Sequence, residues 1–392
     1  MDAHLESIFD GVAMINSQRL SRRFIHLAQI DSESRHEAAV AAEIETILNR
    51  MGAKVSYDQA RDKTGGNCSN LVAKFAGNRP VPPIFLSGHM DTVVPGKGVK
   101  VKFDNGIFTS EGATILGSDD KSAIAIILEV MAVIQENSLP CPPVEVIFTV
   151  CEEIGLLGAK HLDLSLMDAR FGYILDSTDT EGIVTRAPAA NKIFVQIHGR
   201  AAHAGAAPEK GVSAIYAAAR AISQLKLGRI DSETTCNLGI IAGGMATNII
   251  PEKVEIKGEA RSHDPEKLTA VTRNIIATFE DTAAALRGDD TVPRVEISVE
   301  HDFPNTHLPE DHAVVVLARK AAANLGRTLE SKTIGGGADA NIFFGKGIAA
   351  GVLGTGMTDV HTVNESIALK DMEATARLVL EILQVHATGD AA

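Results

Sequence analysis

Five ionisable residues stand directly after short apolar runs. His89 and Asp91 follow residues 84–87, Glu152 and Glu153 follow 144–150, and Asp176 follows 171–175. Runs of this kind, rich in Val, Ile, Leu or Phe and followed by loop chemistry, read as buried parallel strands. Ligands of an open α/β sheet bind at the carboxyl ends of its strands, so residues far apart in sequence are aimed at one crevice. Carboxylates buried side by side cost several kcal/mol each unless cations offset them. They must either titrate or hold metal. Histidine and carboxylate without thiolate suit zinc, cobalt or manganese, with zinc the commonest hydrolytic choice. If His89, Asp119, Glu153, Asp176 and His361 are ligands with one carboxylate shared, about three negative charges face the four positive charges of two divalent ions. The residues alone leave the pairing of ligands open. Any one of them singly is an ordinary loop residue, and it is their joint placement at strand ends that carries the argument.

The elements that must hold these residues alternate in type. Residues 121–136 have helical spacing, apolar at Ile124, Ile127, Leu128, Met131 and Ile134, just after Asp119 and Asp120, whose carboxylates suit a helix N-terminus. Strand and helix alternation predicts an α/β fold, a mixed sheet with helices on both faces. The middle of the chain changes character. It reads as strand 192–198, helix 211–225, strand 235–241, strand 254–261, helix 265–286 and strand 294–300, a βαββαβ unit of ferredoxin-like α+β type. A helix over 311–325, a Gly-rich loop at Gly335–Gly337, a strand over 349–353 and a helix over 370–385 then rejoin the first sheet. The expected organisation is a catalytic domain of 1–186 and 305–392, interrupted by an inserted domain of 187–304. Residues 388–392 are expected to fray.

Several stretches, taken in order, resemble the zinc-dependent exopeptidase family of peptidase T, carboxypeptidase G, aminoacylase and succinyl-diaminopimelate desuccinylase. They are Ser87-Gly88-His89-Met90-Asp91-Thr92-Val93, Leu116-Gly117-Ser118-Asp119-Asp120-Lys121 and Thr149-Val150-Cys151-Glu152-Glu153-Ile154-Gly155. Asp176, Gly199-Arg200-Ala201-Ala202-His203-Ala204-Gly205, Thr247-Asn248-Ile249-Ile250-Pro251, Gly336-Gly337-Ala338-Asp339 and His361-Thr362 continue the match. The resemblance implies one zinc on His89, Asp119 and Asp176 and another on Asp119, Glu153 and His361, with Asp119 bridging and Co2+ or Mn2+ as possible substitutes. It implies that Asp91 orients His89 through the other ring nitrogen and that Glu152 is the general base. It makes His203 the oxyanion-stabilising histidine, in many members supplied by the partner subunit of a dimer, and Asn248 and Arg261 substrate contacts. Gly336 and Gly337 would bring backbone N–H groups close to a substrate anion. Peptidase T proper carries arginine where this chain has Gly335, so the Gly335–Asn341 stretch looks closer to the peptidase T-like branch.

Composition narrows the partners. The chain has 392 residues, 50 acidic against 37 Lys and Arg, a net charge of -13, 4% aromatics and no Trp. With no basic cluster and few stacking rings, nucleic acid and anionic membranes are not expected partners. Residues 1–23 lack a signal-peptide pattern, no apolar run spans a membrane, and four unpaired-looking cysteines suit a reducing cytoplasm. No GxxxxGK[ST] or GxSxG motif occurs. The activity that the resemblance implies is hydrolysis of short peptides by a homodimeric dinuclear zinc metallopeptidase. Deacylation of N-acylated amino acids is the alternative within the same chemistry. A non-catalytic metal- or peptide-binding protein would have lost the base or a ligand, and neither is lost here.

Overall fold

The structure is a computed structural model that describes residues 15–287 and 290–389. Residues 1–14 and 390–392, within the stretches read above for a leader and a frayed end, lie outside the described residues. Residues 17–23 begin the helix Ser17–Ala28, whose N-cap Asn16 accepts the Arg19 N–H through its side chain. The chain divides into two compact units, one of residues up to 185, 308–333 and 338 onward, the other of 186–307 and 334–337.

The sheet of the first unit runs Lys54–Tyr57, Leu71–Phe75, Val144–Thr149, Ile84–His89, Phe171–Ser177, Ala349–Gly354 and Gly182–Ala187. Its central four strands are mutually parallel and its flanking strands antiparallel, the mixed sheet expected. The parallel strands Val144–Thr149 and Ile84–His89 are buried at every position, which is why they read as largely apolar runs; their one acid, Glu145, lies 2.9 Å from Lys74 Nζ. Both faces carry helices. Phe85 meets Phe343 of helix Asp339–Gly345 edge-on, with ring centroids 5.4 Å apart. Leu86, on the opposite face, is level with Tyr173, whose hydroxyl donates to the Val314 carbonyl of helix Ala313–Asn324 at 2.7 Å.

The helix Ser118–Glu136 departs from the expected amphipathic form. Residues 118–134 are all buried, so it is a core helix enclosed on every side. Beyond Asp119 and Asp120 its one buried acid, Glu129, accepts from Arg19 Nε at 2.6 Å, Arg19 Nη2 at 2.8 Å and the Asn16 N–H at 2.9 Å. That pairing offsets a charge that would otherwise be costly to bury. A small antiparallel sheet of Val101–Asp104, Ile107–Ser110, Ser366–Ala368 and Met357–Thr358 completes the unit. His361 sits in the loop between its last two strands.

The second unit is the βαββαβ arrangement. Strands Thr234–Gly243, Lys253–Ser262, Ala189–His198 and Arg294–Phe303 lie side by side in that order, all antiparallel, as in a ferredoxin-like sheet. Alternate residues Ile193, Val195 and Ile197 face the helices Ala214–Ile222 and Pro265–Arg287, which return Ala217, Ala218, Ala221, Leu268, Ile275 and Phe279. A bulge between Leu238 and Ile240 interrupts the first of these strands, and beyond it Ile240, Ile241 and Met245 are exposed.

Among the described residues no helix is long and apolar enough to cross a membrane. The four cysteines are free and buried; burial pushes the Cys68, Cys141 and Cys236 thiols up to about 11 and Cys151 to about 12.

Candidate metal centre

His89 ends its strand, Asp176 is the penultimate residue of the neighbouring strand, and Glu152 and Glu153 follow Val144–Thr149. Because these strands are parallel, their carboxyl ends open on the same side. Asp119 and His361 arrive from the start of the core helix and from the small-sheet loop. His89, Asp119 and Asp176 form one group and Asp119, Glu153 and His361 a second; within each, one potential ligand atom per residue lies within 4.8 Å of the others. Asp119 belongs to both. Its Oδ1 is 2.9 Å from His89 Nε2 and its Oδ2 3.2 Å from His361 Nε2, while Glu153 Oε2 is 3.0 Å from the same His361 nitrogen.

The turns carrying these residues are held by other buried carboxylates. Asp120 departs from the expected helix-capping role: its Oδ2 accepts the His89 N–H at 3.1 Å, and helical backbone begins only after it. Gly88 permits that approach, since a Cβ there would lie 2.6 Å from Asp120 Oδ2. Asp91 faces His89 Nδ1 through its carbonyl at 2.9 Å and its carboxylate at 3.5 Å. That carboxylate also accepts the Glu152 N–H at 2.9 Å, the Glu153 N–H at 3.2 Å and the Ser34 hydroxyl at 2.7 Å. Glu37 accepts the Cys151 N–H at 3.1 Å. At the far end of the same turn Gly158 is required, because a Cβ would come within 2.2 Å of the Val150 carbonyl. Glu37 did not stand out in the sequence, where an isolated acid reads as solvated surface.

Burial dominates the electrostatics. It pushes the carboxyls of Glu152 and Asp176 well above the usual range and Asp339 to about 6, with neighbouring carboxylate charges adding to each. Asp119 goes the other way: burial opposes ionisation, but hydrogen bonds from His361 and His89 hold its carboxyl low. Hydrogen bonds to Asp119 and Glu153 raise His361 to about 10. Asp339, quoted in the Gly-Gly-Ala-Asp stretch without a role, accepts the Thr149 hydroxyl at 2.5 Å through one oxygen, and its other oxygen is buried without a partner. An oxygen and nitrogen donor set this rich in carboxylate, exposed only at His361 and with no thiolate, fits two divalent cations better than any internal pairing it makes.

The remaining candidates lie in the second unit. His203 Nδ1 accepts the Gly205 and Ala206 N–H groups, both at 3.1 Å, leaving Nε2 as the N–H donor of an exposed ring. Asn248 is in the adjoining turn, its carbonyl accepting the Ala204 N–H at 2.9 Å. Arg261 lies over the Phe303 ring with its Cζ 5.8 Å from the centroid, donates to Glu259 at 3.0 Å and reaches the Gly335 carbonyl at 3.4 Å. The Gly335–Gly337 loop thus turns one carbonyl towards this arginine, and Gly337 leaves room for Phe303, which a Cβ would meet at 2.4 Å.

Residues 85–385 match the model of peptidase family M20/M25/M40. The chain is similar to the uncharacterized protein YqjE of Bacillus subtilis strain 168, with 42% identity over 372 residues, 95% of this chain and 99% of that one. Among solved structures it resembles the aminopeptidase PepT from Bacillus cereus at 40% identity and a TM-score of 0.88, covering 95% of this chain and all of that one. A tripeptidase from Staphylococcus aureus Mu50 is also 40% identical, with a TM-score of 0.91 over 96% of this chain and all of that one.

Proposed function

Because the chain belongs to peptidase family M20/M25/M40, in its peptidase T-like branch, we propose that it is a dinuclear zinc exopeptidase acting on short peptides as an aminopeptidase or tripeptidase. The observation that carries the reading is the two-sided placement of Asp119, one oxygen towards His89 and the other towards His361. His89, Asp119 and Asp176 would hold one ion and Asp119, Glu153 and His361 the other; when bound, such ions polarise the scissile carbonyl and lower the pKa of water.

The chain's own groups supply the rest. Glu152 belongs to neither ligand group, and its backbone is held by Asp91, so its carboxylate is free to take the proton of the attacking water and return it to the leaving amine. His203, with Nε2–H outward, is suited to donate to the developing oxyanion. Arg261, its guanidinium stacked on Phe303, suits a substrate carboxylate, with Asn248 and the N–H groups of Gly336 and Gly337 as further contacts.

A screen of di- and tripeptides beside N-acetyl and N-succinyl amino acids tests this reading. Turnover of peptides with a free N-terminus is the expected result, and deacylation without peptide turnover would replace it by the amidohydrolase alternative. We also propose a homodimer formed through the second unit. The outer edge of strand Thr234–Gly243 is paired only at Thr235 and Cys236 among the described residues, and Ile240, Ile241 and Met245 lie exposed beyond. A monomer in light scattering at assay concentration would refute it. Four free buried cysteines support a reducing, cytoplasmic setting, and export of the expressed protein to an oxidising compartment would contradict it.

A further inference from the structure

Glu365 is buried, 2% exposed, in a loop whose neighbours from Asp359 to Asn364 are otherwise largely exposed. Its Oε2 accepts the N–H groups of Leu116 at 2.8 Å and Gly117 at 2.9 Å, and its Oε1 accepts the Ser118 hydroxyl at 2.6 Å and the Asp119 N–H at 3.1 Å. One side chain therefore takes four donors from the turn that presents the shared carboxylate. It stands four residues after His361 on the same loop, and its own N–H is bonded to the Thr362 carbonyl at 3.2 Å. The loop is also fastened by the short strand pair Met357–Thr358 with Ser366–Ala368.

We propose that Glu365 is the positioning residue of the metal centre, fixing the shared ligand Asp119 and the loop ligand His361 relative to each other. The inference rests on the dinuclear reading above. The distance between those two ligands decides whether one ion can be held by both, and no other side chain among the described residues is hydrogen-bonded to the N–H of Asp119 while anchored in the His361 loop. Only a carboxylate can do this. It offers acceptors alone, whereas an amide in the same place turns N–H groups against two of the four donors.

The test is zinc affinity measured on full-length wild type, Glu365→Gln and Ser118→Ala, stripped of metal and titrated with Zn2+ against a chromophoric chelator. Circular dichroism and tripeptide kinetics are followed in parallel. Glu365→Gln is expected to stay folded and to bind zinc about 10–100-fold more weakly, the usual effect of losing a group that orients a ligand. Its kcat is expected to fall more than its KM rises. A purely structural role would lower the unfolding temperature and leave zinc affinity intact, and that result would overturn the proposal. If Glu365→Gln fails to fold, Ser118→Ala decides: it deletes one of the four bonds, so a several-fold loss of zinc affinity supports the proposal and unchanged affinity sinks it. Wild type that binds no zinc would instead bring down the dinuclear reading itself.

Discussion

Glu152→Gln is expected to keep the fold and both metal ions while kcat falls by about 10²–10⁴-fold, the usual contribution of a positioned proton acceptor. The substitution is isosteric and leaves the backbone N–H of residue 152 bonded to Asp91 at 2.9 Å, so the turn is not disturbed. Glu152 lies outside both ligand groups, so metal content is not expected to change. What disappears is a carboxyl that burial, reinforced by the charges of Asp176, Asp339 and Glu153, inclines to take up a proton. Metal content by plasma emission, circular dichroism and kcat on a tripeptide check the three parts of the expectation. A folded, metal-loaded variant with near wild-type turnover would remove Glu152 from the mechanism.

Asp119→Asn is expected to weaken metal binding as well as turnover, because one substitution strikes both ligand groups. Loss of a ligand to both ions forfeits several kcal/mol of charge stabilisation. At roughly 4 kcal/mol this is about a 10³-fold fall in kcat/KM. The diagnostic comparison is with Asp176→Asn and Glu153→Gln, which each alter a single group. Equilibrium dialysis should find both zinc sites weakened in the first variant and one weakened in each of the others. Identical losses from all three would contradict Asp119 as the shared ligand. Chelation of the wild type should likewise abolish activity, with zinc restoring it. Zinc at a thousand times its dissociation constant should also add about 4 kcal/mol of stability, read as a higher unfolding temperature.

The parts of this molecule that were legible in advance are those where burial is uniform or strictly periodic. The parallel strands are largely apolar, and the second unit alternates cleanly at Ile193, Val195 and Ile197. Its helix Pro265–Arg287 buries Leu268, Thr272, Ile275, Phe279 and Ala283 at helical intervals. His89, Glu152, Glu153 and Asp176 stood out as site candidates because a histidine and acids recur where those strands end, whereas Asp119 starts a helix and His361 sits in a loop. The small sheet that carries His361 was not, since its strands are two to four residues long, partly exposed, and pair across some 250 residues of chain. Asp91 shows the limit at the scale of one side chain. Its position near His89 was expected, but that its carboxylate would hold the Glu152–Glu153 backbone depends on how two strand ends meet. Glu37, Asp339 and Glu365 are single acids in their sequence neighbourhoods, and only the fold shows each one buried against N–H or hydroxyl donors.

The order of strands in the first sheet also governs biosynthesis. Ala349–Gly354 lies between Phe171–Ser177 and Gly182–Ala187, two strands that leave the ribosome far earlier. Until the late strand arrives those two lack their common partner, and His361 has not been made. At ordinary elongation rates the interval from residue 187 to residue 354 is on the order of 10–30 s. The 186–307 segment, whose sheet and helices are nearly continuous in sequence, can be complete within that interval. A nascent chain of this peptidase therefore carries a complete second unit while the first sheet is still open, and the group that includes His361 can form only once residue 361 has been made.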